Sequence, residues 1–273
     1  MELLSSVAQM FVANFGWFIG LYIGFGLLSR HVPQAHPDQP LWRKDSWTDV
    51  LYWFVMPPFY MLCRLGIVAI AIALIFQEDY AGARKAILEG FGPLGQLPLW
   101  LQMLGILLIG DLAQYWAHRW MHNHNGGWRY HSIHHCPEEI DWMTATRFHP
   151  VNYMLFMGCN TILPLLLGFS PIAFALLAPF NAVFSPFVHA NLPWTLGPLR
   201  YVIASPVFHR WHHTTVSEGG NKNFAPTFPF IDLIFGTFYM PEGRLPEKYG
   251  IEDGNVPTTF HGQLLHPYKK PKA

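Results

Sequence analysis

The sequence has few charged residues. Asp, Glu, Lys and Arg make up 12% of its 273 residues, against about 25% in an average soluble domain. The 17 acidic and 17 basic side chains cancel. This balance argues against a nucleic-acid partner, because proteins that bind nucleic acids carry a basic surface. With 51% of the residues hydrophobic, the composition predicts an integral membrane protein.

Paired cysteines and strand patterns are also missing. The three cysteines, Cys63, Cys136 and Cys159, are scattered along the chain, so they form neither a disulfide framework nor a zinc ribbon. No stretch alternates between apolar and polar residues as a half-buried strand does. We therefore predict an all-α fold, an integral membrane helical bundle.

Three apolar stretches are long enough for membrane-spanning helices. They cover residues 7–28, 50–76 and 94–117, and about 20 apolar residues suffice to cross a bilayer. Pro57 and Pro58 interrupt the second stretch. This stretch is therefore either one kinked span or a short hairpin.

A fourth apolar stretch, residues 148–199, contains no Asp, Glu, Lys or Arg. Pro164, Pro171 and Pro179 divide it into pieces that are too short for two full spans. We predict a helical hairpin that enters the membrane and returns to the same side. We also expect this stretch to line an apolar route for a lipid.

The distribution of basic residues predicts the topology. Cytoplasmic loops of membrane proteins carry an excess of Lys and Arg. The segment before the first apolar stretch has no basic residue, whereas the loop after it contains Arg30, Arg43 and Lys44. This pattern places the first loop in the cytoplasm, and three crossings bring residues 118–147 back to that side as a cap. If the second stretch is a hairpin that crosses twice, the cap lies on the opposite side. The membrane is either a bacterial inner membrane or the endoplasmic reticulum.

Histidine is unusually frequent. The sequence contains 15 histidines, and eight of them fall in three short motifs whose i, i+3 and i+4 spacing puts them on one face of a helix. Their neutral nitrogens are enough for two metal ions, and imidazole suits iron, zinc and copper alike. The motifs are HxxxH with His118 and His122, HxxHH with His131, His134 and His135, and HxxHH with His209, His212 and His213.

The three motifs, in this order among apolar stretches, resemble those of the fatty acid hydroxylase/sterol desaturase superfamily of membrane di-iron oxygenases. The resemblance covers about residues 94–267 and includes Arg147-Phe-His149-Pro150, His189-Ala-Asn191 and Asn223-Phe224. Ala225 departs from the pattern, because the family often has glycine at that position.

The resemblance implies a non-haem di-iron enzyme with a dinuclear histidine-rich site on a cytoplasmic cap. Such an enzyme uses O2 and two external electrons to hydroxylate or desaturate a C–H bond of a membrane lipid, such as a fatty acyl, sterol or alkylglycerol substrate. The resemblance divides the chain into N-terminal spans and loops, residues 1–93, and a catalytic domain, residues 94–273. In recombinant protein, zinc can take the place of the two iron ions.

The eight motif histidines are the metal ligands, and hence the catalytic residues, that the resemblance implies. We predict His189 as a ninth ligand, because a five-coordinate ion needs one more imidazole and related members have a ligand histidine at this distance before the last motif. Asp111 lies seven residues before His118 on the same helical face, where a carboxylate can orient a ligand imidazole. We expect His149 and Asn191 to support the site as well.

The electrons must come from another protein. Gly90-Phe-Gly92-Pro-Leu-Gly95 matches the GxGxxG pattern, but no strand precedes it, as a dinucleotide-binding fold requires. We therefore expect a separate reductase, cytochrome or ferredoxin as electron donor. A competing hypothesis is a metal-binding or metal-transport membrane protein without oxygenase chemistry, although transporters place their ligands near the bilayer midplane. A metallohydrolase is a further alternative, but the motifs lack the glutamate of HExxH.

Overall fold

The computed structural model describes residues 2–77, 79–252 and 255–269, and in these ranges the chain is helical. The one β-type pairing within them is the isolated bridge between Thr214 and Tyr249. The all-α prediction is therefore confirmed. The α-helices of the described ranges are α1 (Glu2–His31), α2 (Ser46–Phe76), α3 (Tyr80–Glu89), α4 (Gly92–Gly95), α5 (Leu99–Asn123), α6 (Asn125–His135), α7 (Pro150–Met157), α8 (Leu163–Leu166), α9 (Pro171–His189), α10 (Pro206–His212), α11 (Phe230–Ile234) and α12 (Phe260–Leu265).

Three helices could cross a membrane by length and composition: α1 over Phe11–His31, α2 over Ser46–Ile70 and α9 over Pro171–His189. Only 11%, 17% and 22% of the residues in their most apolar windows are buried inside the protein. Large apolar side chains such as Val12 and Leu65 therefore face outward, where hydrocarbon chains can cover them. The chain is an integral membrane protein.

Helix α5 occupies most of the third predicted span. Its 25 residues reach about 37 Å, and Leu104, Leu112 and Trp116 form an exposed apolar stripe along it. It also contains the buried polar residues Gln102 and Asp111, and it is not among the three helices that qualify as spans by composition. The membrane crossing of α5 stays a prediction.

Pro57 and Pro58 do not divide α2, which runs from Ser46 to Phe76 as one helix. Proline at position 57 removes the N–H group that would donate to the carbonyl of residue 53. That carbonyl, of Trp53, accepts a hydrogen bond from the side-chain amide of Asn14 in α1 instead. A neighbouring helix thus satisfies the freed backbone group, which is one way that spanning helices tolerate proline.

The charge-free stretch forms the predicted helical hairpin. Its first arm joins α7, a π-helical turn (Gly158–Ile162) and α8, and its second arm is α9. The expectation that Pro179 divides the stretch is wrong, because α9 continues through it, although only this one arm is long enough for a span. Pro171 is the first residue of this helix, where the missing N–H costs no hydrogen bond, and Pro179 lies inside it. The 19 residues of α9 are long enough to span a membrane.

The turn of the hairpin packs against the segment that precedes α5. The backbone N–H of Phe91 donates to the carbonyl of Gly168 over 2.9 Å. Gly168 has a φ angle of 101°, and a Cβ atom there would lie 2.2 Å from the Phe91 carbonyl oxygen. This contact requires glycine. It places the hairpin turn and the start of α5 at one end of the bundle, opposite the histidine motifs.

A buried ion network joins the first loop to the segment before the hairpin. Arg43 pairs with Asp49 and with Asp141 at 2.7 Å each, and Arg147 pairs with Asp49 at 2.7 Å. All four side chains are buried, so each charge depends on its partners. The network connects residues 1–93 with the rest of the chain; the division into two domains stays a prediction.

Candidate metal centre

Nine histidines converge at one end of the bundle and form two groups. Within each group, one nitrogen atom from each imidazole lies within 4.8 Å of the others. Eight of the nine side chains are buried, and His122 is half-buried. The five-histidine group consists of His118, His122, His131, His135 and His212, and the four-histidine group consists of His134, His189, His209 and His213.

The two HxxHH motifs each contribute to both groups. In α6, His131 and His135 join the five-histidine group, while His134 between them joins the other. The motif at α10 does the reverse, because its His212 lies in the five-histidine group and its outer histidines lie in the four-histidine group. The i, i+4 pair of a motif therefore faces one group and its middle histidine faces the other. Helix α5 completes the first group, and the end of α9 completes the second with His189.

Five imidazoles are held through their Nδ1 atoms. A carbonyl oxygen can only accept, so each of these Nδ1 atoms carries the proton and leaves the Nε2 lone pair free for a metal ion. The Nδ1 donors and their acceptors are His118 with the Phe224 carbonyl (2.7 Å), His212 with the Lys222 carbonyl (2.7 Å), His131 with Asn152 Oδ1 (2.7 Å), His189 with the Ser185 carbonyl (2.7 Å) and His134 with the Arg147 carbonyl (3.3 Å).

The free Nε2 atoms point at one another. They are 2.8 Å apart in His118 and His131, and 3.0 Å apart in His189 and His209. Among the described residues, the buried Nε2 atoms of His122 and His212 have no hydrogen-bond partner. Lone pairs this close, and buried acceptors without donors, are costly unless a cation lies between them. The donor set therefore fits a metal ion in each group.

Burial keeps the imidazoles of the α6 and α10 motifs neutral. It lowers their pKa well below the usual 6.5, and the neighbouring imidazoles lower it further. Only a neutral imidazole has a lone pair for a metal ion. At neutral pH these side chains are therefore ready to bind one. The six residues with this lowered pKa are His131, His134, His135, His209, His212 and His213.

Aromatic side chains of the hairpin form one wall of the centre. The ring of Phe148 stacks on His134 with centroids 4.1 Å apart. The ring of Phe156 lies 5.5 Å from His118 and 5.9 Å from His131. The charge-free stretch thus supplies apolar cover to both histidine groups, as expected for a lipid-facing side.

A cavity of about 220 Å³ reaches the five-histidine group and is lined in part by His122, His135 and His212. The polar side chains of Asn123 and Thr215 also line it, together with Trp128, whose ring lies 5.2 Å from His122. None of the residues that line this cavity belongs to the charge-free stretch. It is therefore not the apolar lipid route along residues 148–199, which stays a prediction.

The model of the fatty acid hydroxylase family matches residues 103–237, a range that contains all nine histidines. The resemblance to this family is thereby confirmed over 135 of the 273 residues. An ornithine lipid hydroxylase from Rhizobium tropici is 27% identical to it over 93% of this chain and 76% of the relative. An alkylglycerol monooxygenase from Danio rerio is 34% identical over 51% of this chain. Methylsterol monooxygenase 2-2 from Arabidopsis thaliana is 32% identical over 52% of this chain.

The chain matches only 30% of the length of the alkylglycerol monooxygenase and 55% of the methylsterol monooxygenase. No solved structure gives a significant match. These relatives are hydroxylases and monooxygenases by name, and this chain is accordingly an oxidoreductase.

Asp111 is separated from the ligand imidazoles by a loop and so lies one step farther from them than predicted. Its carboxylate accepts hydrogen bonds from the backbone N–H groups of Thr227 and Phe228, both over 2.8 Å, and not from an imidazole. These residues continue the loop whose Phe224 carbonyl holds His118. Asp111 binds these N–H groups because it lies on the side of α5 that faces this loop. Asp111 therefore supports the acceptor of His118 and does not contact the imidazole itself.

His149 and Asn191 also have structural partners in place of a ligand. His149 caps α7, where its Nδ1 accepts a hydrogen bond from the N–H of Val151 over 3.1 Å. Asn191 exchanges two hydrogen bonds with the backbone of His36, over 3.0 and 2.9 Å. Neither residue belongs to a histidine group. Their place in motifs of the family reflects the fold around the centre.

Two supporting residues were not predicted from the sequence. Asn152 accepts the Nδ1 proton of His131; it is one of four asparagines in the charge-free stretch, so its position in the sequence did not distinguish it. Asp232 accepts the N–H groups of Phe224 and Ala225 over 2.7 and 2.9 Å. The residues next to Asp232 in the sequence do not indicate this role, because Asp232 supports the histidines only through the loop of residues 222–228.

Proposed function

We propose that this chain hydroxylates a C–H bond of a membrane lipid, using O2 and two iron ions. The observation that carries the proposal is the pair of buried imidazole groups whose Nε2 atoms converge beside membrane-spanning helices. The names of the relatives support a lipid substrate, of the ornithine lipid, alkylglycerol or methylsterol type. Desaturation differs from hydroxylation in the placement of the substrate and is the related alternative.

All nine histidines are proposed as ligands, five for one iron ion and four for the other. Iron held in this way would supply the O2-activating redox chemistry. The protein supplies the geometry: hydrogen bonds at Nδ1 set the direction of five imidazoles, and Phe148 and Phe156 keep water away from the side of the hairpin. Zinc bound in recombinant protein would occupy the same ligands without supporting the reaction.

Hydroxylation with O2 consumes two electrons and two protons, and releases one oxygen atom as water. The electrons are proposed to come from a separate reductase, cytochrome or ferredoxin. The glycine-rich segment of residues 90–95 supports this assignment, because it lies between α3 and α5 and includes the short helix α4. A dinucleotide-binding turn would instead follow a strand.

The metal centre is proposed to lie on the cytoplasmic side. The first loop, with Arg43 and Lys44, is the basic segment that favours this side. In the fold, this loop is bound to the histidine end of the bundle, through the pair of Arg43 with Asp141 and through the backbone of His36 at Asn191. The histidines therefore share its side of the membrane. Accessibility of a single cysteine in the first loop to a membrane-impermeant reagent tests this placement.

The function is tested by lipid analysis under 18O2. A strain without the gene is complemented with the wild type, with His209→Ala from the four-histidine group or with His124→Ala, which lies in neither histidine group. We expect one 18O atom in a hydroxylated lipid with the wild type and His124→Ala, and none with His209→Ala. Metal uptake without any labelled lipid in the wild type would instead favour a metal-binding or metal-transport protein.

A further inference from the structure

A second cavity, of about 290 Å³, lies beside the four-histidine group but has none of its histidines in the lining. The walls come from the end of α1, the loop of residues 32–41, the turn that begins at Trp142 and residues 190–192. Backbone and side-chain hydrogen bonds between His36 and Asn191 fix the loop against the segment after α9. The cavity is therefore a built feature of the fold.

Apolar and polar side chains together line the cavity. Phe25, Leu28 and Trp142 are apolar, and the rings of Phe25 and Trp142 are stacked at 5.9 Å. Ser29 and Gln34 supply polar groups. This combination suits a molecule with a polar end and a hydrocarbon end.

Once ion pairs are counted, the net charge of the side chains that line the cavity is positive. The carboxylate of Asp141 lines it but is neutralised by Arg43, whose Nη2 and Nε atoms lie 2.7 and 2.8 Å from it. Arg30 also lines it and is exposed, and its guanidinium has no hydrogen bond or ion pair with any described residue. Asp38, in the same loop, is not part of the lining. Arg30 is thus free to pair with an anion.

The cavity lies where two membrane spans end. Arg30 is the last residue but one of the span Phe11–His31, and Ala190 follows the span Pro171–His189. At this depth a bilayer changes from hydrocarbon to headgroups. Ala190 also follows His189 directly in the chain, so a headgroup bound here lies close to the four-histidine group.

We propose that this cavity binds the headgroup of the lipid substrate, with Arg30 paired to an acidic group such as a phosphate or carboxylate. Phe25, Leu28 and Trp142 then contact the first carbons of the hydrocarbon chain. That the bound lipid is the substrate rests on the proposed function. The inference narrows the substrate class to lipids with an anionic group in the headgroup. Arg30 is a specificity residue, because it recognises the lipid without touching the histidines.

The test measures lipid binding to the purified full chain in detergent, by native mass spectrometry. The probes are dioctanoyl phosphatidylglycerol and dioctanoylglycerol, which have the same chains and differ in the phosphate. We expect one phosphatidylglycerol per chain, binding at least tenfold weaker in Arg30→Gln, and affinity largely restored in Arg30→Lys. Arg129→Gln, an exposed arginine outside the cavity, is the matched control and should bind as the wild type does. Metal content is measured in parallel to show that the variants are folded.

Three results would overturn the proposal. One is equal binding of the two probes, and another is unchanged affinity in Arg30→Gln. The third is competition by glycerol 3-phosphate as strong as that of the lipid, which would make the cavity an anion site without lipid selectivity. Binding requires neither O2 nor electrons, so its outcome is independent of catalysis. Labelled lipid with no effect of Arg30 would refute only this inference, and Arg30-dependent binding with no labelled lipid would refute only the proposed function.

Discussion

The two histidine groups use the same side chain but are held in different ways. In the five-histidine group, His118 and His212 donate to carbonyls of the loop of residues 222–228, which Asp111 and Asp232 hold in turn. In the four-histidine group, His189 is held within its own helix, and His134 donates to the carbonyl of Arg147 in the ion network. The first group depends on a distant loop, and the second on a helix and buried charges.

The two groups also differ in their access to the surroundings. The cavity of about 220 Å³ reaches three imidazoles of the five-histidine group, whereas no imidazole of the other group lines either of the two cavities described above. Different supports and different access imply that the two metal ions can be lost separately. The predictions below test this independence, beginning with the largest expected effect.

Removing a ligand should have a greater effect in the smaller group. We expect His189→Ala to lose one of two metal ions and to lower activity by more than the roughly 100-fold that loss of a supporting residue costs. His122→Ala leaves four imidazoles in its group and should retain more metal. Metal content per chain and lipid turnover are the measurements, with His124→Ala as control. Two ions per chain in His189→Ala would contradict its role as a ligand.

Asp49 should matter to stability through the ion network. In Asp49→Asn, Arg43 keeps Asp141 and Arg147 keeps Asp45, but both lose a buried partner. We expect the free energy of unfolding to fall by about 3 kcal/mol, as measured by denaturation in detergent. At partial denaturation, the metal of the four-histidine group should be released first. Asp38→Asn, an exposed acid, is the control, and an equal loss in both variants would argue against the network.

Asp232→Asn should affect only the five-histidine group. The substitution replaces an acceptor of two backbone N–H groups with an amide, and so loosens the loop that holds His118. We expect metal affinity in this group to fall by about 10–100-fold, while one ion stays tightly bound. Metal titration of Asp232→Asn, His189→Ala and the double variant separates the groups. If the double variant keeps one tightly bound ion, the two substitutions act on the same group.

The difference in access should appear as two phases of metal release. A chelator added to the purified protein should remove the ion of the five-histidine group first, through the cavity that His122 lines, and the ion of the four-histidine group later. We expect two phases of equal amplitude, followed as metal content over time. Thr215→Trp should slow the fast phase by filling the cavity. A single phase for both ions would show that the cavity makes no difference to access.

The spans of α1 and α2 and the hairpin were predicted from composition, whereas the continuity of α2 and α9 through their prolines was not. Apolar stretches of sufficient length identify membrane helices, because the bilayer demands about 20 residues. Proline interrupts such a pattern locally, and the sequence does not say whether a neighbour will satisfy the freed carbonyl. In α2 this neighbour is Asn14, which lies 39 residues away from Trp53. Whether α2 continues through its prolines therefore depends on the tertiary structure.

Eight of the nine candidate ligands follow from the sequence alone, because i, i+3 and i+4 spacing on a helix brings imidazoles to one face; the ninth, His189, was predicted from the ligand count and the family resemblance. The division into groups of five and four was not predictable, since it depends on how α5, α6, α9 and α10 pack together. The same reason explains Asp111. Its spacing from His118 was local and correct, but its hydrogen-bond partners were Thr227 and Phe228, which chain folding brings to it from more than 100 residues away.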